Sequence, residues 1–183
     1  MNAIIAPHRW SLEEYEHMVR SGLFESGHHV ELIEGEVIDM VPQNEPHAVT
    51  LTLVDIALRR AFSTGHVFRQ QSPLALGLAS QPEPDLAVVT GAPRDFILKH
   101  PRTSVLVVEI ADSSLLHDRT TKCALYARYD IPIYWIVNLV DGVLETYERP
   151  MSGSYQIQLV LRRGETVYVG PARTPLIVDE LLP

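Results

Sequence analysis

Asp85, Glu109 and Lys122 are the residues of this chain whose types and placement could do chemistry together. Glu109 sits in the stretch VLVVEIADSSLLHDRTTK, among Val105, Leu106, Val107, Val108 and Ile110. That near-continuous apolar run reads as a strand buried on both faces. A charged carboxylate at such a position is destabilising by several kcal/mol unless it is paired, hydrogen-bonded or bound to a metal. Asp85 stands at the start of a second apolar strand, PEPDLAVV, and Lys122 on the helix that follows the first. If the two strands are antiparallel neighbours, the start of one meets the end of the other and the carboxylates converge. A hard cation such as Mg²⁺ takes about six oxygens near ~2.1 Å, of which one or two are carboxylates. Asp85, Glu109 and the Ile110 carbonyl are the expected protein ligands, and Mn²⁺ could substitute. Such a metal lowers the pKa of a bound water and steadies charge on a phosphate. Lys122 could orient that water or stabilise developing charge. Glu31 adds a further acid, and His47 a base or phosphate contact.

Each residue alone has a plainer explanation. Asp85 after Pro84 is an ordinary strand-start acid, and Lys122 stands at i+4 from Asp118, the favourable order for a surface ion pair. His47 could be a solvated residue in a first helical turn. Cys123 reads as a core residue, and Trp135 with Tyr134 as sheet core. The constellation carries the signal.

Several elements must position these side chains. Ser11 and Glu14 form a capping box for a helix over 12–20 that ends near Gly22. HHVELIEGEVIDM reads as a hairpin turning at Glu34-Gly35. Asn44 or Glu45 caps a helix with Pro46 in its first turn, whose expected apolar face is Val49, Leu53, Ile56, Ala57 and Phe62, stopped at Gly65. HVFRQQ, PLALGL and PDLAVV are predicted as three strands. Asp118 is predicted to cap a helix reaching about Tyr129, with Lys122, Leu125 and Tyr129 on one side and Cys123, Tyr126 and Ala127 on another. IPIYWIVNL, turning at Asp141-Gly142 into VLETYE, gives two more strands, and YQIQLVLRRGETVYV a last hairpin. The expected class is mixed α/β (α+β). It has one largely antiparallel sheet with a βαβ-like unit over 104–138, helices packed on it and extra hairpins, in a single domain over 1–183.

Composition sets the remaining bounds. The 46% hydrophobic and 21% charged shares are ordinary for a globular protein. No apolar run approaches the roughly 20 residues of a membrane span, and the start lacks a secretory pattern, so the cytoplasm is the expected compartment. One cysteine excludes an intrachain disulfide framework and a cysteine-rich zinc site. A formal net charge of −8 argues against a non-specific nucleic-acid coat.

HVELIEGEVIDMVPQNEPHA, PEPDLAVV and VLVVEIADSSLLHDRTTKCALYARYDIPIYWIV, in this order, resemble the Uma2 family, also called DUF820. That family is placed in the PD-(D/E)XK restriction-endonuclease-like superfamily, and the resemblance spans roughly residues 10–150. It implies a Mg²⁺-dependent nuclease fold with a central mixed sheet, acting on DNA. Asp85 would match the PD aspartate and Glu109 the acid of the second motif. Lys122 would match a lysine that has migrated to the following helix, Glu31 the early glutamate and His47 the histidine after it. Gln71 is similar to a glutamine of the QSP segment. Ala111 and Asp112 stand where the family tends to have Ser-Pro. Asp130, Ile133 and Asn138 stand near an expected glycine, glutamate and aspartate. Ala111 occupies the superfamily's usual lysine position. Two readings stay open beside the nuclease: a catalytically idle binding or regulatory module, and a structural domain in which Glu109 is satisfied by a plain ion pair. A homodimer is a further possibility for an enzyme cutting two strands.

Overall fold

The computed structural model describes residues 6–24, 29–62 and 64–183. Six strands form a central sheet in the order β3 (His66–Gln70), β4 (Leu86–Thr90), β5 (Leu106–Ala111), β6 (Ile133–Asn138), β7 (Val143–Met151), β8 (Ser154–Arg162). All neighbours are antiparallel except β5 and β6. That parallel pair needs a crossover. It is supplied by a continuous helical stretch: α3 (Leu115–His117), a π-turn (Asp118–Lys122) and α4 (Cys123–Arg128). The mixed sheet with one βαβ-like unit is the expected class.

β5 is buried along its whole length, as its apolar run requires. Leu106, Val108 and Ile110 point to one face, packing with Trp135, Val137 and the helix α2 (Glu45–Ala61). Val107 and Ala111 point to the other, packing with Leu125, Tyr126 and Tyr134. Alternation puts Glu109 on this second face, beneath α4.

α1 (Leu12–Arg20) carries the capping box on Ser11 and Glu14. β1 (Val30–Ile33) and β2 (Glu36–Asp39) form the hairpin turning at Glu34-Gly35; His28 lies outside the described residues. Asn44 caps α2.

Four local expectations are corrected. The buried face of α2 is Leu51, Val54, Ala57, Leu58 and Ala61, while Val49 and Ile56 are exposed. The alanines allow close approach: a Cβ on Gly170 would come within 2.4 Å of the Ala61 carbonyl oxygen. The segment 73–78 is not a strand. Its amides bond to separate places, Leu74 to Pro82, Ala75 to Pro101 and Leu76 to Ser80, around a tight bend at Gly77. The last hairpin is paired differently. Ser152 and Gly153, both at positive φ, turn β7 into β8, so β8 joins the main sheet. The Gly164 turn then takes the chain away, and β9 (Thr166–Val169) pairs with β10 (Thr174–Ile177) as a separate ribbon. Asp118 is not a helix cap but a buried residue inside the helical stretch, accepting a 2.6 Å bond from the Ser114 hydroxyl. Asp130, near the expected glycine, takes the left-handed conformation (φ 55°) just past α4. Among the described residues no helix is long and apolar enough to cross a membrane.

Candidate functional site

The antiparallel register of β4 and β5, Leu86 opposite Val108, carries Asp85 to Glu109 and Ile110. Asp85 Oδ2 accepts the Ile110 N–H at 2.8 Å, and the Asp85 N–H donates to Glu109 Oε2 at 3.2 Å. The carboxylates converge as the strand argument requires. Lys122 reaches in from the π-turn. Its Nζ lies 3.1 Å from Glu109 Oε1 and 3.3 Å from Glu31 Oε2. Glu31 comes from β1 and also accepts the Glu83 N–H at 3.1 Å. His47 comes from the first turn of α2, where Asn44 Oδ1 accepts its N–H at 3.0 Å and Asn44 Nδ2 donates to Asp112 at 2.9 Å. Its Nε2 stands 3.1 Å from Asp85 Oδ2. Glu31, His47, Asp85, Glu109, Ile110 and Lys122 thus line one cleft of about 310 Å³. Gln71 does not line it; its N–H donates to the Asp85 carbonyl from an exposed residue in left-handed conformation.

Two groups at this cleft were not legible in the sequence. Tyr126 donates to Glu109 Oε1 at 2.7 Å. It therefore shares a face with Lys122 rather than opposing it, and the i, i+4 spacing of the two was the available signal. His117 lines the cleft with a buried Nε2 that has no hydrogen-bond partner, 3.9 Å from Glu31 Oε1.

The π-turn that aims Lys122 is held from outside. The Tyr134 hydroxyl donates to the Asp118 carbonyl at 3.2 Å. Arg119 forks onto Glu145 of β7, with Nη2 2.6 Å from Oε1 and Nε 3.0 Å from Oε2. Asn138 and Tyr147 donate to the same carboxylate at 2.8 and 2.9 Å. π-turns inside helices often occur at functional sites.

The electrostatics are those of a crowded acid cluster. Glu31, Asp85, Glu109 and Asp118 face the single fixed cation Lys122, and none of the five is more than 8% exposed. Burial pushes the Glu109 carboxyl up; Lys122 pulls against this, while Asp85, Asp118 and Glu31 add to it. Burial also works against the Lys122 charge, but Glu109, Glu31, Asp118 and Asp85 outweigh it and hold the ammonium above the ordinary lysine value. Nζ and the Asp85 N–H can only donate, so the contacts favour an ionised Glu109 paired to a protonated Lys122. Among the described residues no three His, Cys, Asp or Glu side chains are gathered as a metal cage. The donor set nonetheless suits Mg²⁺, which is held by one or two carboxylates with waters and substrate oxygens. The excess of buried negative charge is what a divalent cation would relieve.

The family profile described as "Uma2: Putative restriction endonuclease" matches residues 12–173. No curated protein matches the chain. Among solved structures the chain is similar to "a putative nuclease belonging to DUF820" from Anabaena variabilis ATCC 29413. The TM-score is 0.69 at 14% identity, over 94% of this chain and 97% of that one. That likeness shows a shared nuclease-like fold, and the profile match over most of the chain shows that it belongs to the Uma2 family.

Proposed function

We propose that this chain is a Mg²⁺-dependent endonuclease that hydrolyses DNA phosphodiester bonds. The observation that carries this reading is the β4–β5 register, which sets Asp85 against Glu109 and Ile110 beneath Lys122. Asp85, Glu109 and the Ile110 carbonyl would hold the metal, with Mn²⁺ able to replace Mg²⁺. When bound, the ion supplies a water of lowered pKa and positive charge beside the phosphate. Lys122, kept protonated by the surrounding carboxylates, stabilises charge on the phosphate oxygens as water adds to phosphorus and the bond to the leaving oxygen breaks. Glu31 holds Lys122 in line. His47, fixed by Asp85 and the Asn44 cap, contacts the substrate or takes up a proton. A homodimer would supply the second site needed to cut both strands.

The rival reading is a catalytically idle module of the same fold. It draws on the −8 charge and on Lys122 already being paired to both Glu109 and Glu31. Calorimetric titration with Mn²⁺ and Mg²⁺, on the wild type and on Asp85→Asn, separates the two. Saturable binding lost in Asp85→Asn, with plasmid nicking lost in Lys122→Ala, is expected. No binding at millimolar metal, with and without DNA, would overturn the nuclease reading.

A further inference from the structure

A second cleft, of about 750 Å³, lies between α1 and the loop over 91–104. It meets the first at Glu83, which lines both. The chain is acidic overall, yet this loop carries Arg94, Lys99 and Arg102, all exposed and none in an ion pair among the described residues. Lys99 and Lys122 are the only lysines in the sequence. Arg69, on the neighbouring edge strand β3, lies over the Phe96 ring at 5.7 Å and 3.4 Å from His100. Seven of the ten other arginines are paired to acids, so Lys99 and Arg102 stand out as unpaired cations on this rim, in a lining that also holds Glu13, Glu16 and Glu83.

The rest of the lining offers a different chemistry. Ile97 and Leu98 are 73% and 90% exposed beside Phe96. Gln81 is only 5% exposed, and its Oε1 is buried without a hydrogen-bond partner while the residue lines the cleft. A buried acceptor left unpaired is destabilising by about 1–3 kcal/mol, so its natural complement is a ligand N–H donor. Free cations on the rim, apolar side chains and a hidden acceptor are together the requirements of an unpaired nucleotide: phosphates outside, a base face on apolar surface, an amino group within. Bases in a duplex cannot turn their pairing edge into such a cleft.

We infer that the cleft lined by Gln81, Phe96, Leu98, Lys99, His100 and Arg102 is a subsite for a single-stranded stretch of nucleic acid continuous with the strand in the Asp85–Glu109 cleft. The inference rests on the nuclease reading for its connection to the first cleft, but strand binding is measured without cleavage. Lys99 and Arg102 hold backbone phosphates, and Gln81 Oε1 accepts from the amino group of cytosine or adenine.

The test is fluorescence anisotropy of labelled oligo-dC, oligo-dA, oligo-dT and a duplex on the full chain in EDTA. Single strands are expected to bind more tightly than duplex, with dC and dA above dT. Lys99→Gln/Arg102→Gln should flatten the slope of log affinity against log salt by about 1.4, at ~0.7 for each phosphate no longer neutralised. Gln81→Met should remove the preference for dC and dA. Equal affinity for duplex and single strand, no binding at all, or a double variant with the wild-type salt slope would overturn the inference. Circular dichroism checks that each variant is folded; if Gln81→Met is not, the salt slope of the surface variant decides alone. Loss of this binding with plasmid nicking intact would remove the subsite and spare the nuclease reading. Absent nicking with binding that depends on Lys99 and Arg102 would do the reverse.

Discussion

Replacing Arg119 with alanine should reveal how firmly the π-turn is anchored. Glu145 is 1% exposed and accepts from Arg119, Asn138 and Tyr147. Stranding a fully buried charge by removing its partner is destabilising by about 3–5 kcal/mol. Arg119 is 40% exposed at the side chain, so solvent screens part of its attraction, and two neutral donors remain after it is gone. The expected loss for Arg119→Ala is therefore about 2 kcal/mol at pH 7. For a chain of this length that is about 4–8 °C in Tm. The pH dependence has a definite sign. Burial would raise the Glu145 carboxyl, but the donors, Arg119 first, outweigh it and hold it below the ordinary glutamate value. Its stabilising contribution is present above the unfolded pKa of about 4.3 and is lost as pH falls through the lower folded value. Without Arg119 the folded pKa rises, so the deficit should be largest near neutrality and shrink as Glu145 protonates. Arg119→Ala/Glu145→Gln should be less destabilised than Arg119→Ala, because no buried charge is left behind. Urea denaturation of the three proteins at neutral and acidic pH measures this. A deficit below about 0.5 kcal/mol at pH 7, or one unchanged in acid, would refute the reasoning and reduce the clamp to a surface pair.

Two further outcomes are expected. Asn44→Ala removes the α2 cap and the tether to Asp112, and should lower stability by about 1 kcal/mol in urea titration; an unchanged midpoint would mean the cap is not used. Burial, reinforced by Glu145, pushes the Cys123 thiol up to about 11, so at pH 8 it should react with a thiol reagent far more slowly in the folded protein than in denaturant, and equal rates would contradict the burial.

The parts of the site that were readable from sequence are those fixed by strand periodicity. A carboxylate inside a run buried on both faces leaves few explanations, and the antiparallel arrangement of two successive strands places Asp85 beside it without further information. What was unreadable depends on partners far away in sequence. Asp118 has the residue type of a helix cap, but capping is a local preference, and the Ser114 hydroxyl and the Lys122 ammonium hold it buried instead. The π-turn has no compositional mark, since propensity does not distinguish an i+5 bond from an i+4 bond. The contacts that hold it, with Glu145 and Tyr134, lie on other strands. β8 carried hairpin signals toward both neighbours. The Ser152-Gly153 turn won because both residues adopt positive φ and the two long strands can then pair along their length.

The same topology explains why the cleft lies at one end of β5. An antiparallel neighbour brings its beginning to that end, which delivers Asp85. The only parallel pair of the central sheet, β5 with β6, needs a crossover that starts from the same end, and its first turns must pass back over the strand before β6 can begin. Lys122 and Tyr126 lie on that return path, above the face to which alternation assigns Glu109. A lysine on β5 itself, two residues past Glu109, would point to the same face from the position of Ala111, which is fully buried against the α4-side core. With the lysine on the crossover, its ammonium reaches Glu109 from above while a small side chain fills the strand position. The substitution Ala111→Lys would put a longer, charged side chain into a fully buried alanine position of the α4-side core, which overpacking disfavours, so the packing favours the crossover as the place for the ammonium.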